Sequence, residues 1–189
     1  MIDLYLVRHG ETEENVAQIL QGHLPGHLTA LGQRQATQLA ERLNNDNITF
    51  DTLLCSDLQR TIDTATIIKN HLNQNVIITP CPLLRERNWG RSTGKAISLA
   101  RSEGIASDAE SINDMYKRAL QFLSFTKEKY DNKKVLAVGH GLFNRIIQAV
   151  LLGCSKKDIP RMQNAEVRHL IVDQLPNTWH CEEESISAN

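Results

Sequence analysis

Apolar residues along this chain alternate between short continuous runs and stripes with a helical period. The short runs are rich in aliphatic and β-branched residues, as buried strands are. They lie at residues 2–7, 52–55, 76–79 and 135–138, and residues 169–172 could form a last strand. Because helical stripes separate the strands, the order predicts an α/β fold, a three-layer α/β/α sandwich with a largely parallel central sheet.

The helices between these strands have recognisable starts and stops. Thr29 is predicted to cap one helix, which the polar residues 44–47 end, and Ser56 is predicted to cap the next. Residues 111–130 and 142–152 carry two further apolar stripes. Residues 83–108 show little periodicity beyond a possible short helix after residue 95, and they predict an excursion over one end of the sheet.

Size and composition indicate one globular domain over residues 1–189, with a loose tail after about residue 175. The chain is 41% hydrophobic and 23% charged, without a run long enough to span a membrane. Met1 is followed by Ile2 and the acidic Asp3 rather than by a basic segment, so we expect no signal peptide. The scattered cysteines then favour reduced thiols in a cytoplasmic protein: Cys55, Cys81, Cys154 and Cys181.

The net charge of −1 argues against a nucleic acid or an anionic membrane as partner. An anion site would therefore have to be local. Ligands of such folds collect outside the carboxyl ends of the strands. Basic and acidic side chains follow four of the predicted strands: Arg8 and His9, then Arg60, then Glu86, then His140. Their convergence predicts a binding or catalytic site at this edge of the sheet.

The motifs around these residues resemble those of the histidine phosphatase superfamily, the phosphoglycerate mutase-like proteins. They occur in the family's order and span residues 2–172: Arg8-His9-Gly10-Glu11-Thr12 with Asn15, Ser56-Asp57 with Arg60, Leu84-Arg85-Glu86 with Gly90, and Gly139-His140-Gly141. Within the family, residues 83–96 are most similar to the fructose-2,6-bisphosphatase-like, TIGAR-type branch. The resemblance implies a phosphoglycerate mutase-like fold and a phosphohistidine on His9.

Physical chemistry assigns compatible roles to these side chains. A neutral His9 can attack phosphorus, and flanking Arg8 and Arg60 should disfavour its protonated form while holding the phosphate. His140 could stabilise charge on the phosphoryl group. Glu86 is the candidate general acid for the leaving oxygen, although a salt bridge to a neighbouring arginine would also explain it.

Further residues are implied to bind substrate by their match to the family's positions. Asn15, Gln21 and Gly22 would line the pocket through amide and backbone groups, and Gly141 follows His140. Trp89 stands where relatives often carry Tyr, so a contact made by a hydroxyl would be missing. The basic side chains within residues 85–95 could bind a second phosphate or carboxylate, or could simply be a solvated charged loop.

These observations predict a metal-independent phosphatase, without a cofactor, that hydrolyses a small phosphomonoester such as a sugar phosphate or phosphoglycerate. The partner would be a small phosphorylated metabolite, with a homodimer left open. A cofactor-dependent phosphoglycerate mutase is the alternative enzyme. A catalytically inactive binding relative is the third hypothesis, which the loss of a core residue would favour; His9, Arg8, Arg60, Glu86 and His140 are all present.

Overall fold

A computed structural model describes residues 1–175, and the loose tail predicted beyond them lies outside the described part, as does Cys181. Five strands form one sheet in the order β3-β2-β4-β1-β5. They are β1 (Ile2–Arg8), β2 (Thr52–Cys55), β3 (Ile78–Pro80), β4 (Lys134–Gly139) and β5 (Val167–Val172). The neighbours from β3 to β1 run parallel, and β5 alone is antiparallel.

Helices cover both faces of this sheet, as the alternation of patterns predicts. They are α1 (Glu13–Val16), α2 (Ala30–Asn45), α3 (Gln59–His71), α4 (Ile97–Glu103), α5 (Ile112–Tyr130) and α6 (Gly141–Leu152). Alternate residues of β1 enter different cores. Leu4 and Leu6 pack with α5 and α6, whereas Tyr5 and Val7 pack with α2 and α3. The three-layer α/β/α sandwich is therefore confirmed.

The predicted cap of α3 is wrong. Ser56 directly follows β2, and its N–H still donates to the carbonyl of Val138 on the neighbouring strand at 3.0 Å. The helix begins at Gln59, with Leu58 at the N-cap and no capping side chain. A carbonyl from a distant loop, that of Pro25, accepts from the N–H of Arg60 at 3.0 Å and takes the cap's place. A tertiary contact of this kind leaves no local signal in the sequence.

One strand has other bounds than predicted, and one short helix is not among the predicted elements. The third strand is predicted at residues 76–79 but runs from Ile78 to Pro80, because only these residues pair with the short β2. Pro80 lies on an edge strand, where a missing N–H is tolerated. The short α1 has no counterpart among the predicted helices. It begins at Thr12, whose hydroxyl and backbone exchange hydrogen bonds with Asn15 in a capping box.

No helix within residues 1–175 is both long and apolar enough to cross a membrane. The carboxyl ends of β1, β2 and β4 meet at one edge of the sheet, and the loops after these strands surround a cavity.

Candidate active site

The cavity at this sheet edge has a volume of about 330 Å³, enough for a small metabolite. Nine of the ten residues predicted from the sequence to act in catalysis or substrate binding line it: Arg8, His9, Asn15, Gln21, Gly22, Arg60, Glu86, Trp89 and Gly141. The tenth, His140, is completely buried behind His9, with 5.3 Å between the two ring centroids. The structure therefore brings the predicted site residues together.

His9 is held in a single tautomer by the backbone. It follows β1 directly, and its ring Nδ1 lies 2.7 Å from the carbonyl oxygen of Gly10. A carbonyl can only accept, so Nδ1 carries the proton and Nε2 keeps a lone pair. Burial lowers the pKa of His9 well below its ordinary value, and the charges of Arg60 and Arg8 lower it further. The ring is neutral at pH 7 and fit to act as a nucleophile.

Glycine is required beside His9 because the backbone passes very close to the start of α2. A Cβ on Gly10 would lie 2.5 Å from the carbonyl oxygen of Gly32. A Cβ on Gly32 would in turn lie 2.1 Å from the carbonyl oxygen of Glu11. This close approach fixes the loop whose Gly10 carbonyl sets the His9 tautomer.

Two arginines flank His9 and are themselves fixed by backbone carbonyls. Arg60, in the first turn of α3, is 1% exposed and donates from Nη2 to the carbonyl of Gly22 at 2.9 Å. Arg8 donates from Nη1 to the carbonyl of Met162 at 2.7 Å. Burial lowers the pKa of Arg60 to about 10 and also lowers that of Arg8, so both stay charged at pH 7. The Nε atoms of both are buried without a partner within residues 1–175, which leaves donors for an anion.

His140 is the N-cap residue of α6, and both its ring nitrogens are buried without a hydrogen-bond partner in the described chain. Burial and the nearby charge of Arg60 hold its pKa well below the ordinary value, so it is neutral. A neutral imidazole keeps one N–H to donate. Gly139 precedes it, and a Cβ there would clash with Oδ1 of Asn144, so a larger residue would require the Asn144 side chain to shift.

Backbone donors hold the carboxylate of Glu86 at the cavity. Its Oε1 accepts from the N–H of Arg87 at 2.8 Å, and its Oε2 accepts from the N–H of Leu142, in the first turn of α6, at 3.1 Å. The neighbouring arginines that a salt bridge would have used have other partners. Arg85 forms a two-point ion pair with Asp57, and Arg87 donates to a carbonyl and lies over the ring of Trp89.

The predicted pocket residues present amide groups and an aromatic wall. Asn15 accepts at Oδ1 from Thr12 N and from Asn164 Nδ2, both at 3.2 Å, which leaves its own amino group as a donor for the cavity. The Oε1 atom of Gln21 is buried without a partner within residues 1–175. Gly22 has φ +50°, and a Cβ there would lie 2.9 Å from the Trp89 ring, so the aromatic side chain needs the glycine beneath it.

The basic stretch within residues 85–95 does not present free cations. Each of its four side chains has a partner: Arg85 with Asp57, Arg87 with the carbonyl of Glu110, Arg91 with Asp108 and Lys95 with Glu103. The hypothesis that this stretch binds a second anion therefore has little support, and the charged-loop interpretation fits better.

Sequence reasoning missed a segment that completes the cavity wall. Residues 153–166, between α6 and β5, form what we call the rim loop, and its members Arg161 and Met162 line the cavity. Arg145 on α6 holds the loop by donating to the carbonyls of Ile159 and Lys156. Asn164 donates to the carbonyl of His9 at 3.1 Å. The loop is aperiodic, and only its clustered polar side chains could have pointed to it.

Comparisons with known proteins agree with this geometry. A family model described as Histidine phosphatase superfamily (branch 1) matches residues 4–186. The chain is 31% identical to a protein of Erwinia tasmaniensis named "Probable phosphoglycerate mutase GpmB", over 95% of this chain and 88% of that protein. It is 40% identical to a broad-specificity phosphatase of Saccharomyces cerevisiae, over 53% of this chain and 44% of the relative. The solved structure of Bacillus stearothermophilus YhfR superposes with a TM-score of 0.82 at 25% identity, covering 97% of this chain and 96% of that one.

Proposed function

The chain belongs to the histidine phosphatase superfamily, and from that premise we propose a metal-independent phosphatase that hydrolyses a small phosphomonoester through a phosphohistidine on His9. The family makes it an enzyme, a phosphoric monoester hydrolase. One observation carries the proposed mechanism. His9 lies in the cavity with its proton fixed on Nδ1, and two charged guanidiniums flank its ring.

The first step transfers the phosphoryl group from the substrate to the enzyme. His9 Nε2 forms a bond to phosphorus as the bond from phosphorus to the substrate oxygen breaks, in line with the attack. Arg8, Arg60 and the N–H of neutral His140 bind the equatorial oxygens. Glu86 gives its proton to the leaving oxygen, so that an alcohol rather than an alkoxide departs.

The second step hydrolyses the phosphohistidine. The Glu86 carboxylate takes a proton from water, the water oxygen bonds to phosphorus, and the bond from phosphorus to Nε2 breaks. Inorganic phosphate leaves, and His9 returns to its neutral tautomer. The hydrogen bond from Nδ1 to the Gly10 carbonyl stabilises the positive charge that the ring carries while it is phosphorylated.

A phosphoglycerate mutase is the second candidate, since the relative from Erwinia tasmaniensis carries that name over nearly the whole chain. A mutase must keep the phosphohistidine away from water and return the phosphoryl group to a second acceptor. Between the Glu86 loop and α5, this chain has only the seven-residue α4 and short turns to cover the site. This arrangement favours the access of water and therefore the phosphatase.

The test is an assay of purified protein with phosphorylated sugars, phosphoglycerates and nucleotides. We expect release of inorganic phosphate at an unchanged rate after dialysis against a chelator, because the charges of Arg8 and Arg60 and the N–H of neutral His140 stabilise the phosphoryl group as a metal ion would. Phosphoglycerate isomerisation that outpaces phosphate release when 2,3-bisphosphoglycerate is added would identify the mutase instead. Failure to act on any substrate would favour the inactive binding relative.

A further inference from the structure

Arg161 is a cation at the cavity that the phosphoryl-transfer mechanism does not use. Its side chain is exposed, and within residues 1–175 no carboxylate forms an ion pair with it. The four basic side chains of residues 85–95, by contrast, all have partners. The other cations at the cavity already donate to backbone carbonyls. Arg8 and Arg60, which flank His9, donate to the carbonyls of Met162 and Gly22, and Arg145 donates to the carbonyl of Ile159 in the rim loop.

The rim loop places Arg161 close to the phosphate site. The carbonyl of Met162, the next residue, accepts from Arg8, and the Asn164 amide bonds to the carbonyl of His9. The loop is thereby fixed to the two residues at the end of β1. Arg161 lies near enough that its positive charge contributes to lowering the pKa of Arg8. Like charges brought together without a carboxylate between them favour an anion that bridges them.

We propose that Arg161 binds a second anionic group of the substrate, so that the enzyme prefers phosphomonoesters that also carry a carboxylate or a second phosphate. The inference rests on the proposed phosphatase function and names its substrate class. A planar guanidinium presents paired donors to either anion. The cavity of about 330 Å³ has room for one small molecule that carries both groups.

The experiment compares matched substrates in wild type and variants. 3-Phosphoglycerate and glycerol 3-phosphate differ by a carboxylate, and fructose 1,6-bisphosphate and fructose 6-phosphate differ by a phosphate. In R161Q we expect kcat/KM to fall about 10- to 100-fold for the member of a pair that carries the second anion, as the loss of a charged hydrogen bond predicts. For the pair member without the second anion, and for p-nitrophenyl phosphate, kcat/KM should change by less than about 2-fold. A larger loss of kcat/KM for 3-phosphoglycerate would identify the anion as a carboxylate, and a larger loss for fructose 1,6-bisphosphate would identify it as a phosphate.

Two controls make the result specific. R161K keeps the charge and should retain part of the preference, whereas R91Q removes a paired arginine of the basic stretch and should leave kcat/KM unchanged for every substrate. Arg161 is exposed and its side chain has no ion-pair partner in the described chain, so the fold should tolerate its replacement. If R161Q slows all substrates equally or none, the inference is wrong while the phosphatase stands. If wild type hydrolyses no substrate, including p-nitrophenyl phosphate, the proposed phosphatase function is wrong, and the inference about Arg161 is wrong as well.

Discussion

The inner wall of the cavity and its rim are built on different physical principles. The inner wall consists of residues at strand ends, buried and fixed by backbone atoms: His9 by the Gly10 carbonyl and Arg60 by the Gly22 carbonyl. The rim includes the irregular rim loop, whose exposed Arg161 has no ion-pair partner within residues 1–175. Arg91, in the basic stretch outside the cavity lining, is paired with Asp108 instead. The difference leads to the expectation that the strand ends set the reaction and that the rim loop sets the substrate preference.

Removal of His9, the proposed nucleophile, should abolish catalysis at the inner wall of the cavity. We expect His9→Ala to lower kcat/KM by about 10⁴-fold or more for every phosphomonoester, because no other group at the described site can take the phosphoryl group. Circular dichroism and thermal unfolding should show that the fold persists, since the ring packs at a strand end rather than between layers. Residual activity above a few per cent of wild type would exclude His9 as the nucleophile.

Replacement of Glu86, the proposed general acid, should have a smaller effect that depends on the leaving group. Glu86→Gln keeps one acceptor oxygen, for the N–H of either Arg87 or Leu142, and it cannot give up a proton. In single-turnover formation of the phosphoenzyme, we expect a loss of about 10²- to 10³-fold for a sugar phosphate. With p-nitrophenyl phosphate, whose leaving group needs little protonation, the loss should stay below about 10-fold. An equal loss for both substrates would mean that Glu86 holds structure or charge instead of donating a proton.

Because the fold keeps the imidazoles of His9 and His140 neutral, the free energy of unfolding should depend on pH. His9 and His140 have lowered pKa values in the folded protein, so below about pH 6.5 the unfolded chain binds more protons than the folded one. The free energy of unfolding should therefore fall as the pH drops from about 6.5 to about 5, by at most about 1.4 kcal/mol per pH unit for each histidine. Well above pH ~6.5 the two histidines should contribute no slope.

Urea unfolding at a series of pH values measures this slope. The double variant His9→Asn, His140→Asn is the control, because it keeps polar side chains at both positions but removes the titration. Its slope between about pH 6.5 and about pH 5 should be clearly flatter than that of wild type. Equal slopes in the two proteins would show that neither ring is held neutral by the fold.

The two regions also differ in how far the sequence predicts them. The strand ends could be predicted because buried runs such as residues 2–7 and 135–138 have a strong pattern, and because parallel strands bring their carboxyl-terminal loops to one edge of the sheet. The pattern predicts in this way that His9, the two arginines and Glu86 lie at one edge of the sheet. The capping of α3 could not be predicted, because the carbonyl of Pro25 supplies it from a distant loop.

The rim could not be predicted for a related reason. Residues 153–166 have no periodicity, and their position depends on hydrogen bonds from Arg8, Arg145 and Asn164 to carbonyls that any sequence would offer. Charge counts alone pointed to residues 85–95, where the carboxylates Asp57, Asp108 and Glu103 turn out to pair with the cations. Only the three-dimensional arrangement distinguishes a paired arginine from an unpaired one.

The central claim, covalent transfer of the phosphoryl group to His9, can be tested by trapping the intermediate. Wild-type protein mixed with substrate and quenched within the first turnover should carry one phosphate, which acid removes and base does not, as expected of a phosphoramidate. Peptide mapping by mass spectrometry should locate it on His9, and His9→Ala should carry none. Turnover without any phosphorylated protein, or a phosphate that maps to another residue, would contradict the account.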